Sequence, residues 1–157
     1  MQMGKKLLAG AAAAAGLSIT LLGGVTAVAN AAPAQAPLSA AATCSGTGCD
    51  GKDPYASGCG GRSEAGRKST SKGTFILYYS STCKTNWIET PNFAGGTPNL
   101  EMTVQDRDRD KLVRFNSSPT PGRHYGNMVY SPGDNCAIGF ADWGGGSWEA
   151  IIESSGC

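Results

Sequence analysis

The sequence predicts a mainly β fold: a small disulfide-stabilised antiparallel sandwich or partly open barrel with a cysteine- and glycine-rich N-terminal lobe. Three observations predict it. Six cysteines, Cys44, Cys49, Cys59, Cys83, Cys136 and Cys157, follow a leader of secretory type, and an even count in an exported chain reads as a disulfide framework. Short runs of branched and aromatic residues recur between Gly, Pro, Asn and Ser turn signals. No apolar period of helical length interrupts them.

The 157 residues suit one folded domain. Residues 1–31 read as a signal peptide. Lys5 and Lys6 precede an uncharged apolar run from Leu7 to Val28, and Ala29-Asn30-Ala31 is the preferred cleavage triplet, with Ala27-Val28-Ala29 as the alternative. The apolar run nearly reaches bilayer-spanning length, but its Ala and Gly content and the A-x-A site favour cleavage over a membrane anchor. Residues 32–42 hold Ala, Pro, Gln, Leu and Ser without an apolar period and are expected to be a disordered leader. Residues 43–157 are then a single disulfide-rich β domain. Losing Lys5 and Lys6 leaves eleven basic residues against twelve acidic ones. So balanced a charge gives no broad field for nucleic acid.

Residues 43–63, with three cysteines and six glycines, form a looped lobe rather than a long helix or strand. Residues 64–73 are polar and basic. Thr74–Tyr79 is the first clear strand, and Asn86-Trp87-Ile88 is the next. Residues 91–99 carry two prolines and two glycines and read as a loop. Leu100, Met102 and Val104 alternate with polar residues, and Lys111–Phe115 is the expected partner strand across an Asp106–Asp110 turn. After a loop at 116–124, the runs 127–130, 137–140 and 147–152 bring the expectation to seven short strands.

The cysteines permit many pairings, and sequence alone singles out one guess, Cys136–Cys157. Closing that loop contributes about 3 kcal/mol in the chain-entropy model. A zinc site needs close cysteine pairs with a second pair or histidines. Here the shortest gap, Cys44 to Cys49, has four intervening residues, and His124 is the only histidine, so no metal and no cofactor are expected.

Thr43–Cys59 (TCSGTGCDGKDPYASGC) and Leu77–Trp87 (LYYSSTCKTNW) carry an ordered set: Cys44, Cys49, Gly51, Asp53, Pro54, Gly58, Cys59, Tyr79, Ser80, Cys83 and Trp87. This set resembles the domain of unknown function 2690 family, small exported proteins common in actinobacteria. The resemblance implies export and leaves activity open.

Candidate chemistry is sparse. Asp50 and Asp53 read as turn residues bonding nearby N–H groups. Asp106-Arg-Asp-Arg-Asp110 opens like a calcium loop, but Lys111 and Ser117 stand where that loop needs Gly and Glu. His124 would have to serve any histidine-based acid–base chemistry, and no G-x-S-x-G or H-E-x-x-H occurs. Tyr78 and Tyr79 should point to opposite faces of their strand, one buried and the other exposed or under a loop. Tyr125, Trp143 and Trp148 are the candidate ligand-binding residues, Trp143 because Gly144–Gly146 beside it suggest an aromatic on an open loop that could stack on a sugar ring. Arg62, Arg67, Lys68 and Lys72 form a cationic stretch, and Asn116-Ser-Ser118 matches a short glycosylation acceptor. The leading expectation is a non-catalytic binding or structural component of the cell envelope or extracellular space. Its partners would be cell-wall polymers or extracellular proteins, with no nucleic acid and no stable membrane insertion after cleavage. A small hydrolase using His124 and a protease inhibitor presenting the 44–59 loops are the alternatives.

Overall fold

The computed structural model describes residues 41–59 and 61–157. The expected signal peptide, and all of the expected leader but Ala41 and Ala42, lie outside them. A short 3-10 turn, Gly46–Cys49, precedes nine strands: β1 (Arg62–Thr70), β2 (Gly73–Ser80), β3 (Thr85–Phe93), β4 (Leu100–Asp106), β5 (Lys111–Ser117), β6 (Gly122–Tyr125), β7 (Val129–Tyr130), β8 (Ala137–Asp142) and β9 (Ala150–Glu153). They form two antiparallel sheets and no closed barrel. The first runs β1-β2-β3-β6, with β7 also on β3, and the second runs β5-β4-β8-β9.

Strand periodicity explains how the sheets meet. Phe75 and Leu77 of β2 and Ile88 of β3 share the inner face, as do Met102 and Val104 of β4, Val113 of β5 and Ile152 of β9, and all of them are buried in one core. Gly139 of β8 lets the layers close: a Cβ there would lie 3.3 Å from Leu77 and 3.4 Å from Ile88. The β4–β5 hairpin forms as the alternation predicts, with Asp106 opposite Lys111. The carboxylate of Asp106 accepts from Arg109 N at 3.2 Å, so the acidic turn is closed by its own first residue.

Two strands exceed the seven expected. β1 takes the polar, basic stretch, where no residue is buried. It exists by pairing with β2 across the Ser71-Lys72 turn, from Thr70↔Gly73 to Arg62↔Ser80. β6 places His124 on a strand rather than in a loop, opposite Thr90 of β3. β3 also runs on to Phe93, further than Ile88.

Three disulfides are present: Cys44–Cys49, Cys59–Cys83 and the expected Cys136–Cys157. The lobe at 43–59 lies on the outer face of the first sheet. Backbone bonds stitch it to the segment leading into β7: Gly51 N donates to Met128 O and Met128 N to Lys52 O, each at 2.9 Å. Asp50 accepts from Tyr130 N at 2.6 Å and from Arg109 Nη2 at 2.8 Å, which joins the lobe to the β4–β5 turn. That ion pair holds the Arg109 guanidinium above its ordinary pKa.

Candidate functional site

On a strand, every second side chain shares a face, so Trp87 and Glu89 of β3 point together to the outer side of the first sheet. Tyr78 of β2 lies directly opposite Trp87, and Tyr125 of β6 directly opposite Glu89. The lobe adds Tyr55, and β1 adds Arg62 at its first position. Five elements therefore meet at one spot.

Glu89 is at its centre and only 3% exposed. A buried carboxylate must be paired. Oε1 accepts from Arg123 Nε at 2.7 Å. Oε2 accepts from Arg62 Nη1 at 3.1 Å and from the Tyr55 hydroxyl. Arg62 Nη1 also donates to the Tyr55 oxygen. Both guanidiniums lie on aromatic faces: Arg62 is 4.6 Å from the Tyr78 centroid, and Arg123 is 4.6 Å from Tyr55 and 5.1 Å from Tyr125. Tyr55 meets Tyr125 edge-on at 4.7 Å and Trp87 at 6.1 Å. The floor of the cluster is buried, Trp87 being 1% exposed, whereas Arg62, Arg123 and Tyr55 keep 39%, 46% and 39% of their side-chain or residue surface in solvent. The result is an arginine–tyrosine platform held from beneath by one acid.

The hydrogen bond to Glu89, opposed by partial burial, holds the Arg123 guanidinium above its ordinary pKa. Burial, and then the negative charge of Asp53, push the Tyr125 phenol up. Its hydroxyl donates to Asp53 Oδ2 at 3.2 Å. The other oxygen of Asp53 accepts from Tyr55 N at 2.8 Å and Ala56 N at 3.0 Å, the turn role that the sequence suggests.

The three ligand candidates do not converge. Tyr125 belongs to the platform. Trp143 is 9% exposed and stacks on Phe75 at 5.1 Å in the inter-sheet core. The adjoining glycines wrap a carboxylate instead: Asp142 accepts from Gly144, Gly145 and Gly146 N at 2.8–2.9 Å. Trp148 packs on Phe140 at 5.2 Å, with Arg114 over its ring. Tyr78 and Tyr79 take opposite faces as expected, but both are half-buried. Tyr78 lies under Arg62, and Tyr79 lines a polar cleft of about 330 Å³ with Ser63, Asn86, Asn135 and Ser154.

His124 has a serine beside it, which the sequence did not reveal. Its Nε2 is 2.7 Å from the Thr120 carbonyl, which can only accept, so Nε2 carries the proton. Nδ1, 3.0 Å from Ser117 Oγ, then accepts from that hydroxyl. A serine bonded to the unprotonated nitrogen of a neutral histidine ring is the elementary unit of a nucleophile and base.

The model of one protein family matches residues 47–138. The chain belongs to the family described as Protein of unknown function (DUF2690). The matched stretch includes every platform residue and the Ser117–His124 pair, and it ends before Trp143 and Trp148. No curated protein matches the chain, and no solved structure does.

Two outcomes follow from the platform. Replacing both Arg62 and Arg123 by Ala leaves the Glu89 carboxylate with the Tyr55 hydroxyl but neither cation and should lower unfolding free energy by about 3 kcal/mol, the low end for breaking a buried pair because Tyr55 remains and both guanidiniums are partly solvated. Glu89→Gln should cost less than the double variant, since the arginines can turn to water; urea denaturation measures both. The folded-state pKa of Tyr125 lies above its unfolded value, so its contribution is complete below pH of about 10 and is lost as pH rises through the folded value. Relative to Tyr125→Phe, the unsubstituted chain should therefore lose stability above about pH 10, and its phenolate absorbance should show one more late-titrating step.

Proposed function

We propose that this chain is an exported, non-catalytic binding protein of the cell envelope or extracellular space, and that the platform of Tyr55, Arg62, Arg123 and Tyr125 takes its ligand. Glu89 carries the reading. Both of its oxygens are spent holding two solvent-facing guanidiniums and a tyrosine over an aromatic floor. Stability alone does not call for this, because well-packed apolar residues serve as well as a buried ion pair. Preorganised donors beside ring faces are what a binding surface needs.

The ligand that suits them bears a carboxylate or phosphate next to a sugar ring, as acidic envelope polymers do. Guanidiniums pair bidentately with such groups, and tyrosine faces stack on sugars. Glu89 and Asp53 balance the two arginines, so recognition is short-ranged rather than driven by a broad field. Three disulfides, and the lack among the described residues of any helix long and apolar enough to cross a membrane, are compatible with an extracellular protein. Purified cell wall should retain the protein at low salt. Tyr55→Ala and Arg123→Ala, checked for intact far-UV circular dichroism, should weaken retention by about 10-fold, the loss of roughly one charge-assisted contact. No retention of the unsubstituted protein would overturn the reading.

A second reading, a small hydrolase, rests on the 3.0 Å contact between Ser117 and His124. It expects an organophosphonate probe to label Ser117, with the label lost in His124→Ala. An unlabelled Ser117 removes it.

A further inference from the structure

Beneath the platform lies a group of sulfur atoms that the binding reading does not use. The Sγ atoms of Cys44, Cys49, Cys59 and Cys83 all lie within 4.8 Å of one another. Cys49, Cys59 and Cys83 are buried, and Cys44 is half-buried. A fifth sulfur, Met128 Sδ, is 3.6 Å from Cys59 Sγ. Four thiolates around a tetrahedral zinc ion at about 2.3 Å stand about 3.8 Å apart. No two of the four sulfurs are more than about an ångström beyond that span, and within each bonded pair, at 2.16 and 2.07 Å, reduction lets them part by the roughly 1.7 Å that the ion requires.

The gathering does not depend on the sulfur–sulfur bonds alone. Cys59 N donates to Pro54 O at 3.1 Å, and Cys59 O accepts from Ser80 Oγ at 3.3 Å. The same hydroxyl accepts from Cys83 N at 3.3 Å, which places Cys83 against Cys59 through the polypeptide itself. Cys49 O accepts from Lys52 N at 3.1 Å, and Thr43 N, next to Cys44, donates to Ser57 O at 3.0 Å. None of these contacts uses a sulfur atom, so none of them requires the cysteines to be bridged.

We infer that the reduced chain binds one Zn²⁺ through Cys44, Cys49, Cys59 and Cys83, the ion holding the lobe on the sheet where the Cys59–Cys83 disulfide holds it after oxidation. Four thiols give up four protons to the solvent as four Zn–S bonds form, with no change of oxidation state. The two conditions exclude each other, because a sulfur bonded to sulfur has no thiolate to offer. Soft, wholly sulfur surroundings select Zn²⁺ over Mg²⁺ or Ca²⁺, which require oxygen. Cys136 and Cys157 bridge the residue before β8 to the segment after β9 and take no part.

The test uses the full chain reduced by a phosphine, each disulfide taking up two electrons and two protons as the phosphine becomes its oxide with oxygen from water. Co²⁺ should then give a single tetrahedral thiolate spectrum at one ion per chain, displaced by one equivalent of Zn²⁺. Zn²⁺ should protect four thiols from iodoacetamide and leave Cys136 and Cys157 reactive, as read by peptide mass spectrometry. Cys136→Ala with Cys157→Ala should bind as before, and Cys59→Ala should weaken binding by at least about 100-fold. If the reduced chain unfolds without metal, recovery of the β circular-dichroism signal on adding Zn²⁺ supports the site, and failure to recover it counts against it. Equal alkylation of all six thiols with and without Zn²⁺, or protection that includes Cys136 and Cys157, would overturn it.

Discussion

The bridge between Cys59 and Cys83 is the constraint on which the rest of the molecule leans. The lobe at residues 43–59 has almost no apolar matter of its own. Its share of the second core consists of Cys49 and Cys59 packed with Cys83, Trp87 and Met128, flanked by Ala42, Cys44, Tyr78 and Tyr125. Three of the five buried members are half-cystines. Sulfur serves this small layer as both filler and fastener. The chain-entropy model gives about 3.5 kcal/mol for a loop of that length and about 2 kcal/mol for the short Cys44–Cys49 loop. With the lobe seated, Trp87 and Glu89 are covered and Tyr55 can reach the acid. Undocking the lobe would leave a carboxylate and an indole on an open sheet face.

Much of the sandwich is legible in the residues. β4 and β5 announce themselves because Leu100, Met102 and Val104 alternate with polar neighbours, and Asp106 supplies its own turn closure. β2 is equally plain, its aromatic and branched run facing the core at Phe75 and Leu77. β1 is not legible, because a strand that buries none of its residues leaves no alternation to read. It is specified by its partner and by the turn at Ser71-Lys72. β6 is four residues, Gly-Arg-His-Tyr, with no apolar signal, and its place is fixed by its register on β3.

The site was less legible than the fold for a physical reason. Tyr125 stands out in the sequence, but the group that organises it, Glu89, is one acid in a short strand, and its burial is a product of the lobe folding over it. Arg62 reads as part of a basic stretch, yet it leaves Arg67, Lys68 and Lys72 to turn toward the acid. Trp143 beside three glycines suggests an open loop. Whether such N–H groups face solvent or fold back on a preceding carboxylate depends on backbone direction, and here Asp142 gathers all three. Ser117 and His124 meet because one ends β5 and the other lies in β6, in different sheets, which spacing alone does not express.

Gly66 has a consequence of another kind. A Cβ at that position would lie 2.7 Å from Glu153 O and 2.8 Å from Ile152 Cγ2, so β1 of one sheet runs almost against β9 of the other. Each is the last strand of its layer, with backbone groups that no neighbour completes. Facing one another, the two deny a foreign strand the access it needs to extend either sheet. The side-chain-free contact at Gly66 thus acts as a guard against chain-to-chain stacking.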